Sequence, residues 1–474
     1  MFARTAVLNI VGLTPGVFAR NRAPKLRDFA RQCGGVRNMT PPLPAVTCSS
    51  QSSMLTGLPP SGHGIVGNGW FDRDYQDVVF WKQSNHLVQG SKVWDRLRAL
   101  ASDRGVPFTV ANSFWWFNMY SSADYSVTPR PQYRADGRKV PDCYTQPPEL
   151  RDDLQRTLGQ FPLFNFWGPM SGIQSTDWIA AAAMEIERRH SPTLHLIYLP
   201  HLDYCLQQYG PSDTRIDAEV REMDRVFDHL HRSLAERGVR LMVVSEYGIT
   251  EVDDAVWLNR ALRDAGLLRV RTEDGREHLD AGASSAFAVA DHQVAHVYVR
   301  DPAQVPQVQA LLERTAGVER ALSGDARREA GLDHGRAGDV VCVAQARRWF
   351  AYGWWHDDRC APDYARTVDI HRKPGYDPLE LLWDPTRPSR ATAAGMLALR
   401  KAGFRTLLQT VPLDTRLIRG SHGRIEASPA DQPVLIADQV LLPDRELFCT
   451  DVHDVIVRSV AGANSQAAQR SPLR

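Results

Sequence analysis

Three things are scarce in this 474-residue chain: charge of one sign, closely spaced cysteine pairs and long apolar runs. Fifty-six Lys and Arg against fifty-five Asp and Glu leave a net charge of +1. The arginines are interspersed with acids, with no basic block and no acidic tail, which argues against a nucleic-acid polymer or an anionic membrane as partner. The seven cysteines, Cys33, Cys48, Cys143, Cys205, Cys342, Cys360 and Cys449, are odd in number and form no CxxC. A zinc knot or disulfide framework is therefore not expected, and reduced thiols are the default. No apolar run approaches the ~20 residues of a membrane span. Met1–Leu13 has no charged segment leading into an apolar stretch and cleavage site. A cytoplasmic location is expected. Internal repeats and low-complexity tracts are missing too.

What is present is ordinary globular material, 43% apolar and 23% charged, enough for a large core. Short apolar strands alternate with amphipathic helices, the pattern of an α/β fold with a largely parallel sheet and helices on both faces. Strands are expected at Thr5–Leu13, Phe108–Ala111, Thr193–Leu199 and Arg240–Val244, with Val294–Val299, Asp339–Ala344 and Pro433–Ile436 completing the sheet. Helices are expected at Val88–Arg104, Trp178–Arg189 and Asp213–Arg237. In the last, Ile216, Val220, Met223, Phe227, Leu230 and Leu234 fall at spacings of three and four, one face of a helix. Two aromatic, Pro-rich stretches, about 114–175 and 346–390, break the rhythm and read as cap insertions or as surface loops packed by their own aromatics. One domain over 1–461 and a loose tail over 462–474 are expected.

Four segments carry candidate chemistry. Pro41-Pro42-Leu43-Pro44-Ala45-Val46-Thr47-Cys48-Ser49-Ser50-Gln51 places a hydroxyl, Thr47, where a helix is about to open. Free N–H groups there favour an anion, and a Thr needs a base or a metal to become a nucleophile. A plain N-cap threonine fits the same residues. Tyr198-Leu199-Pro200-His201-Leu202-Asp203, followed by Gln207 and Tyr209-Gly210-Pro211, sits at the carboxyl end of a strand, where ligands gather in open α/β sheets. Asp203 is a ligand candidate there or a turn cap. Met242-Val243-Val244-Ser245-Glu246-Tyr247-Gly248 ends another strand. Arg419-Gly420-Ser421-His422-Gly423-Arg424 precedes a late one.

The run Leu43–Thr47 together with Leu55-Thr56-Gly57-Leu58-Pro59-Pro60-Ser61-Gly62-His63-Gly64-Ile65-Val66-Gly67-Asn68 resembles the nucleophile segment of the type I phosphodiesterase/nucleotide pyrophosphatase family, within the alkaline phosphatase superfamily. The resemblance implies an alkaline-phosphatase-like core, Thr47 as nucleophile and Ser50 at a position that contacts phosphoryl oxygen, with His63 and Asn68 structural. It implies a first metal at Asp203, Gln207 and His422, Gln207 standing where the family has His. The Ser-Glu-Tyr-Gly segment resembles the family's Ser-Asp-His-Gly, so Glu246 and Tyr247 stand at second-metal positions. Tyr247 can instead donate a hydrogen bond to a phosphoryl oxygen or to the nucleophile. The opening strand lacks the family's Asp: Val11 aligns with it, and Asn9, on the same side of the strand, offers an amide oxygen or only bonds its neighbours.

A further segment, Asp369-Ile370-His371-Arg372-Lys373-Pro374-Gly375-Tyr376-Asp377-Pro378, supplies replacement ligands in Asp369 and His371, a phosphate contact in Lys373, or simply a well-capped turn. His292, His296 and His334 read as packing or surface residues. The implied activity is hydrolysis of a small-molecule phosphate ester, or phosphoryl transfer, with zinc or the harder magnesium or manganese, which suit the oxygen donors. The alternative is a catalytically silent, ligand-binding member of the fold.

Overall fold

The computed structural model describes residues 1–20, 22–135, 138–387, 389–401 and 406–462. Nearly all of the expected tail lies outside the described residues. The strands that matter are β1 (Thr5–Ile10), β2 (Arg37–Thr40), β3 (Val110–Ser113), β4 (Tyr125–Pro129), β5 (Cys143–Gln146), β6 (Leu194–Leu199), β7 (Arg240–Val244), β8 (Ala286–Asp291), β9 (Val294–Val299), β10 (Val318–Leu322), β11 (Val340–Ala344), β12 (Val434–Ile436) and β13 (Leu447–Phe448). The helices are α1 (Thr47–Thr56), α2 (Val93–Asp103), α3 (Ile173–His190), α4 (His201–Tyr209), α5 (Ile216–Ala235) and α6 (Asp451–Ala461).

The main sheet runs β13-β2-β12-β7-β1-β6-β3-β4-β5. Its middle, β7-β1-β6-β3-β4, is parallel throughout, while β12 and β5 add antiparallel pairings. All six residues of β1 are buried, as for a strand covered on both faces. α1, α2 and α6 pack together on one face; α3, α4 and α5 form the other layer. The six apolar residues expected to line one face of α5 are all buried in the core of this sheet.

The late strands depart from expectation. β9 and β11 leave the main sheet and form, with β8 and β10, a separate antiparallel sheet in the order β8-β9-β11-β10 with its own apolar core. Their alternating small and branched residues fit either sheet. What decides is the two-residue hairpin between β8 and β9, which pairs them antiparallel. No helix among the described residues is long and apolar enough to cross a membrane.

One contact ties the site to the frame. The Ser245 hydroxyl, just past β7, donates to the Leu13 carbonyl (2.7 Å) and accepts from the Val434 N–H (2.8 Å). Three residues on, a Cβ at Gly248 would collide with the Asp431 carbonyl oxygen. Gly248→Ala should therefore destabilise the fold by about 2–3 kcal/mol, the range for overpacking a tight contact. A urea-unfolding midpoint indistinguishable from that of the parent would refute this close approach.

Candidate active site

Thr47 at the start of α1, Tyr198 of β6, Asp203 of α4 and Tyr247 just past β7 line one cleft of about 1000 Å³, with Asn9, Glu246, Gln207 and His422 buried behind that lining. Thr47 is the first residue of α1, preceded by the extended Val46, whose own side chain caps nothing. Its hydroxyl lies on the cleft floor, 3.0 Å from the Tyr247 hydroxyl and beside the Glu246 carboxylate. Tyr247 also donates to Asp203 Oδ1 at 3.1 Å. Asp203, in the first turn of α4, receives a second bond from Gln207 Nε2 one turn later (2.9 Å). The oxygen of Gln207 accepts from the Tyr376 hydroxyl (2.8 Å).

Glu246 is held differently. Asn9 Nδ2 donates to its Oε1 at 2.6 Å, and Gln51 Nε2 donates to the same oxygen. Oε2 of Glu246 and Oδ1 of Asn9 are buried without a partner. Burial pushes Glu246 up to about 8, with its hydrogen-bond donors opposing the shift only in part. Burial likewise pushes Asp203 up to about 7, opposed by Tyr247 and Gln207.

His422 stacks on Tyr247 at 3.6 Å with the rings 5° from parallel. Its Nδ1 donates to the Ala45 carbonyl (2.8 Å), which leaves the lone pair on Nε2. That atom is buried without a hydrogen-bond partner, 3.8 Å from Asp203 Oδ1. The Thr47, Asp203, Glu246, Tyr247, Gln207, Asn9 and His422 side chains thus form one connected group.

Other candidates lie apart from it. Ser50 is fully buried inside α1, its hydroxyl without a partner, and the cleft lining does not include it. His371 sits on the cleft wall against the Tyr133 ring and the Phe80 carbonyl. Asp369 pairs with Lys139 and Arg372. Lys373 is enclosed by Asp377 (2.7 Å) and Glu380 (2.8 Å), so its charge is spent inside the protein.

Two residues beyond the expected set belong to the site. Gln51 bridges Glu246 and the Trp116 N–H. Asn68 accepts from the Cys48 N–H (3.0 Å), clamping the first turn of α1, and donates through its own N–H and Nδ2 to Asp291. The position of Gln51, one turn after Thr47, was the available signal; a polar residue on a fully buried helix has to face a polar group.

The two metal sites implied by the sequence resemblance can be tested on this donor set. A catalytic zinc takes three protein ligands. At the first position only Asp203 and His422 offer free capacity, because the Gln207 oxygen is engaged by Tyr376. At the second, the Asn9 and Gln51 amide N–H groups already occupy one oxygen of Glu246, and Tyr247 is a neutral phenol whose ionisation burial opposes. Among the described residues no group of three or more His, Cys, Asp or Glu is placed to hold a metal. The residues present do not fit a two-metal centre.

Against known proteins, the family model described as type I phosphodiesterase/nucleotide pyrophosphatase matches residues 5–377. An uncharacterised pyrophosphatase/phosphodiesterase of Schizosaccharomyces pombe is 24% identical over 271 residues, covering 53% of this chain and 46% of that protein. Ectonucleotide pyrophosphatase/phosphodiesterase 1 of Saccharomyces cerevisiae is 24% identical over 278 residues, covering 53% and 34%. The chain thus matches less than half the length of these relatives. Phosphonoacetate hydrolase of Sinorhizobium meliloti, solved with phosphonoformate, superposes with a TM-score of 0.59 at 15% identity, covering 96% of this chain and 95% of that one. Murine ectonucleotide pyrophosphatase/phosphodiesterase 5, an inactive Thr-to-Ala variant with AMP, gives 0.56 at 12% identity, covering 96% and 94%. These likenesses establish the alkaline-phosphatase-like fold.

Two measurements follow. Protein loaded with zinc and then desalted should carry fewer than two zinc ions per chain by elemental analysis; two stoichiometric ions would overturn the donor-set argument. The second concerns pH. Each raised carboxyl binds its proton more tightly folded than unfolded, against an ordinary value of about 4. Its contribution to stability is fully present below that range and is lost as pH rises through about 7 for Asp203 and about 8 for Glu246. Glu246→Gln should gain stability relative to the parent as pH is raised from about 5 to about 8. A difference between the two that stays constant over that range in urea titrations would count against a protonated, cation-free Glu246.

Proposed function

The chain belongs to the type I phosphodiesterase/nucleotide pyrophosphatase family, and from that premise we propose that it is a phosphoric ester hydrolase acting through Thr47. The observation that carries this reading is the position of the Thr47 hydroxyl. It opens a helix at the floor of a large cleft, 3.0 Å from Tyr247 and beside Glu246. A helix N-terminus attracts the phosphoryl group, and a buried carboxylate with a raised proton affinity is a stronger base than an exposed one. In the first half-reaction, in the ionised form of Glu246, the Thr47 oxygen attacks phosphorus and its proton passes to that carboxylate. The bond from phosphorus to the leaving oxygen breaks, and the phosphoryl group stays on Thr47. Tyr247, bonded to both Thr47 and Asp203, fixes the hydroxyl's direction.

Family membership suggests a divalent cation for this chemistry, zinc in the first instance. The step above uses the chain's own groups, because Asp203 and His422 alone leave an ion short of donors. The substrate is a small phosphate ester. Trp81, Trp116, Trp167, Tyr204 and Tyr376 line the cleft and suit a planar or apolar leaving group. We extend the reading to the chain's organisation. Residues 1–461 form one catalytic unit, and segments 114–175 and 346–390, both of which contribute cleft walls, cap it. Location in the cytoplasm belongs to the same proposal.

A second reading rests on the same incomplete donor set: a protein that binds a phosphate ester in this cleft without turning it over. One experiment separates them. Over a panel of phosphodiesters, phosphomonoesters and phosphonates, Thr47→Ala should lower kcat by about three orders of magnitude or more, as for loss of a nucleophile, while Thr47→Ser keeps measurable turnover. No turnover by the parent on any ester, with ligand binding equal in Thr47→Ala, would favour the binding protein.

A further inference from the structure

The two segments that cap the cleft meet at a buried charge. Lys373, on segment 346–390, donates to Asp377 Oδ2 (2.7 Å) and to Glu380 Oε1 (2.8 Å), and the Lys373 and Glu380 side chains are each 1% exposed. Two carboxylates share one ammonium, so an excess negative charge is left inside the protein. Neutral donors take it up. The Asp369 N–H donates to Glu380 Oε1 (2.9 Å), and the indole N–H of Trp167, from segment 114–175, donates to Glu380 Oε2 (2.6 Å).

Stability does not explain this choice of residues. Apolar side chains of similar volume often serve a fold as well as a buried ion pair or better. What the carboxylate adds is direction, and the directions set here are those of the cleft wall. Trp167 and Asp369, the two neutral donors to Glu380, both line the cleft, as does Tyr376 beside Asp377. The Trp167 ring lies 5.8 Å from Tyr376 and 6.3 Å from Tyr204. Tyr204 follows Asp203 in sequence, and Tyr376 donates to Gln207, so this aromatic corner abuts the polar group around Thr47. Trp167 is only partly buried, and an indole so placed keeps rotamer freedom unless something fixes it. A charge-assisted bond to a buried carboxylate does so.

We propose that Glu380 is a positioning residue for substrate selection. It holds the Trp167 ring as a fixed wall of the subsite beside the phosphoryl position. The cleft thereby favours phosphate esters whose leaving group is a flat aromatic ring over those with a small alkyl one. The inference deepens the reading above: it rests on this cleft binding the ester, and it stands whether or not Thr47 turns the ester over.

Glu380→Gln tests it with little change of shape. The Gln oxygen keeps Lys373 and the Asp369 N–H, but its Nε2 then faces the Trp167 N–H, donor to donor. The remaining Lys373–Asp377 pair is balanced in charge. Phenylphosphonate and methylphosphonate are the probes, since both offer phosphoryl oxygens and only one carries a ring. In calorimetric titration the parent should bind phenylphosphonate more tightly, by about tenfold or more. In Glu380→Gln that preference should shrink by about fivefold, the worth of one aromatic contact, with methylphosphonate affinity within about twofold of the parent. Trp167→Phe, which deletes the N–H and leaves Glu380 charged, should lose preference likewise, and it decides the matter if Glu380→Gln does not fold. Adding Glu380→Gln to Trp167→Phe should change nothing further. A parental preference in either single variant overturns the assignment of Glu380. So does equal weakening toward both phosphonates, the mark of general damage, or a parent without preference for the ring. A parent that binds neither phosphonate overturns the cleft as the ester site, and the Glu380 inference with it. Undiminished turnover in Thr47→Ala would remove the nucleophile and leave the Glu380 result standing, so the two readings fail separately.

Discussion

Two carboxylates, Asp203 and Glu246, are buried in one site with no hydrogen bond from a basic side chain among the described residues, and the surrounding residues are arranged to make that tolerable. An unpaired buried carboxylate is strongly disfavoured; it must find a cation, take up a proton or be surrounded by hydrogen-bond donors. Here donors and proton share the task. Asn9 and Gln51 direct amide hydrogens at Glu246, while Gln207 and Tyr247 do the same for Asp203. Both acids are shifted upward because those donors offset only part of the desolvation. In the proposed reaction that shift suits Glu246 to exchange a proton with Thr47 near neutrality.

The fold supplies this arrangement from three directions. β1, β6 and β7 are adjacent parallel strands, so their carboxyl ends bring Asn9, Asp203 and Glu246 to one edge. α1 delivers Thr47 and, one turn later, Gln51. The third direction comes from the second sheet, whose β8–β9 hairpin inserts His292 and whose Asp291 holds Asn68 against α1. Two apolar cores that pack separately therefore meet through a polar seam. Its residues are fully satisfied where they position Thr47, and left open at His422 Nε2, Glu246 Oε2 and Asn9 Oδ1. Open capacity in a buried seam is where a ligand's own polar atoms would be accepted.

Much of this was legible from sequence for identifiable reasons. β1, β6 and β7 are short apolar runs with sharp ends, and the α5 face repeats at helical spacing, so periodicity alone located them. Thr47, Asp203, Glu246 and His422 carry a motif frame that survives even where ligand types change. The misses have a different character. β9 and β11 looked like main-sheet strands because apolar content does not say which sheet a strand joins. The importance of Asn68 and Asp291 is a matter of partners 223 residues apart, invisible to local pattern. Lys373 and Asp369 advertised chemistry by composition, yet their charges are used against Asp377, Glu380, Lys139 and Arg372. His292, expected as a packing or surface residue, is buried and stacked on Tyr376.

The replaced positions make sense only as a set. Val11, which the sequence resemblance aligns with an acid, brings no negative charge to the site. Without such a charge, a phenol at Tyr247 and an amide at Gln207 become better neighbours for the remaining carboxylates than imidazoles would be, because each donates a hydrogen bond while staying neutral. The extra methylene of Glu246 carries its carboxylate to the amides of Asn9 and Gln51. Together they form one hydrogen-bonded network that leaves Glu246 Oε2, Asn9 Oδ1 and His422 Nε2 open, and groups that share a network are strongly non-additive. Random decay of an abandoned metal site would leave voids and stranded charges. A donor facing each remaining carboxylate, with the Thr47 hydroxyl held at its centre, is the pattern expected of a site rebuilt around hydrogen bonds.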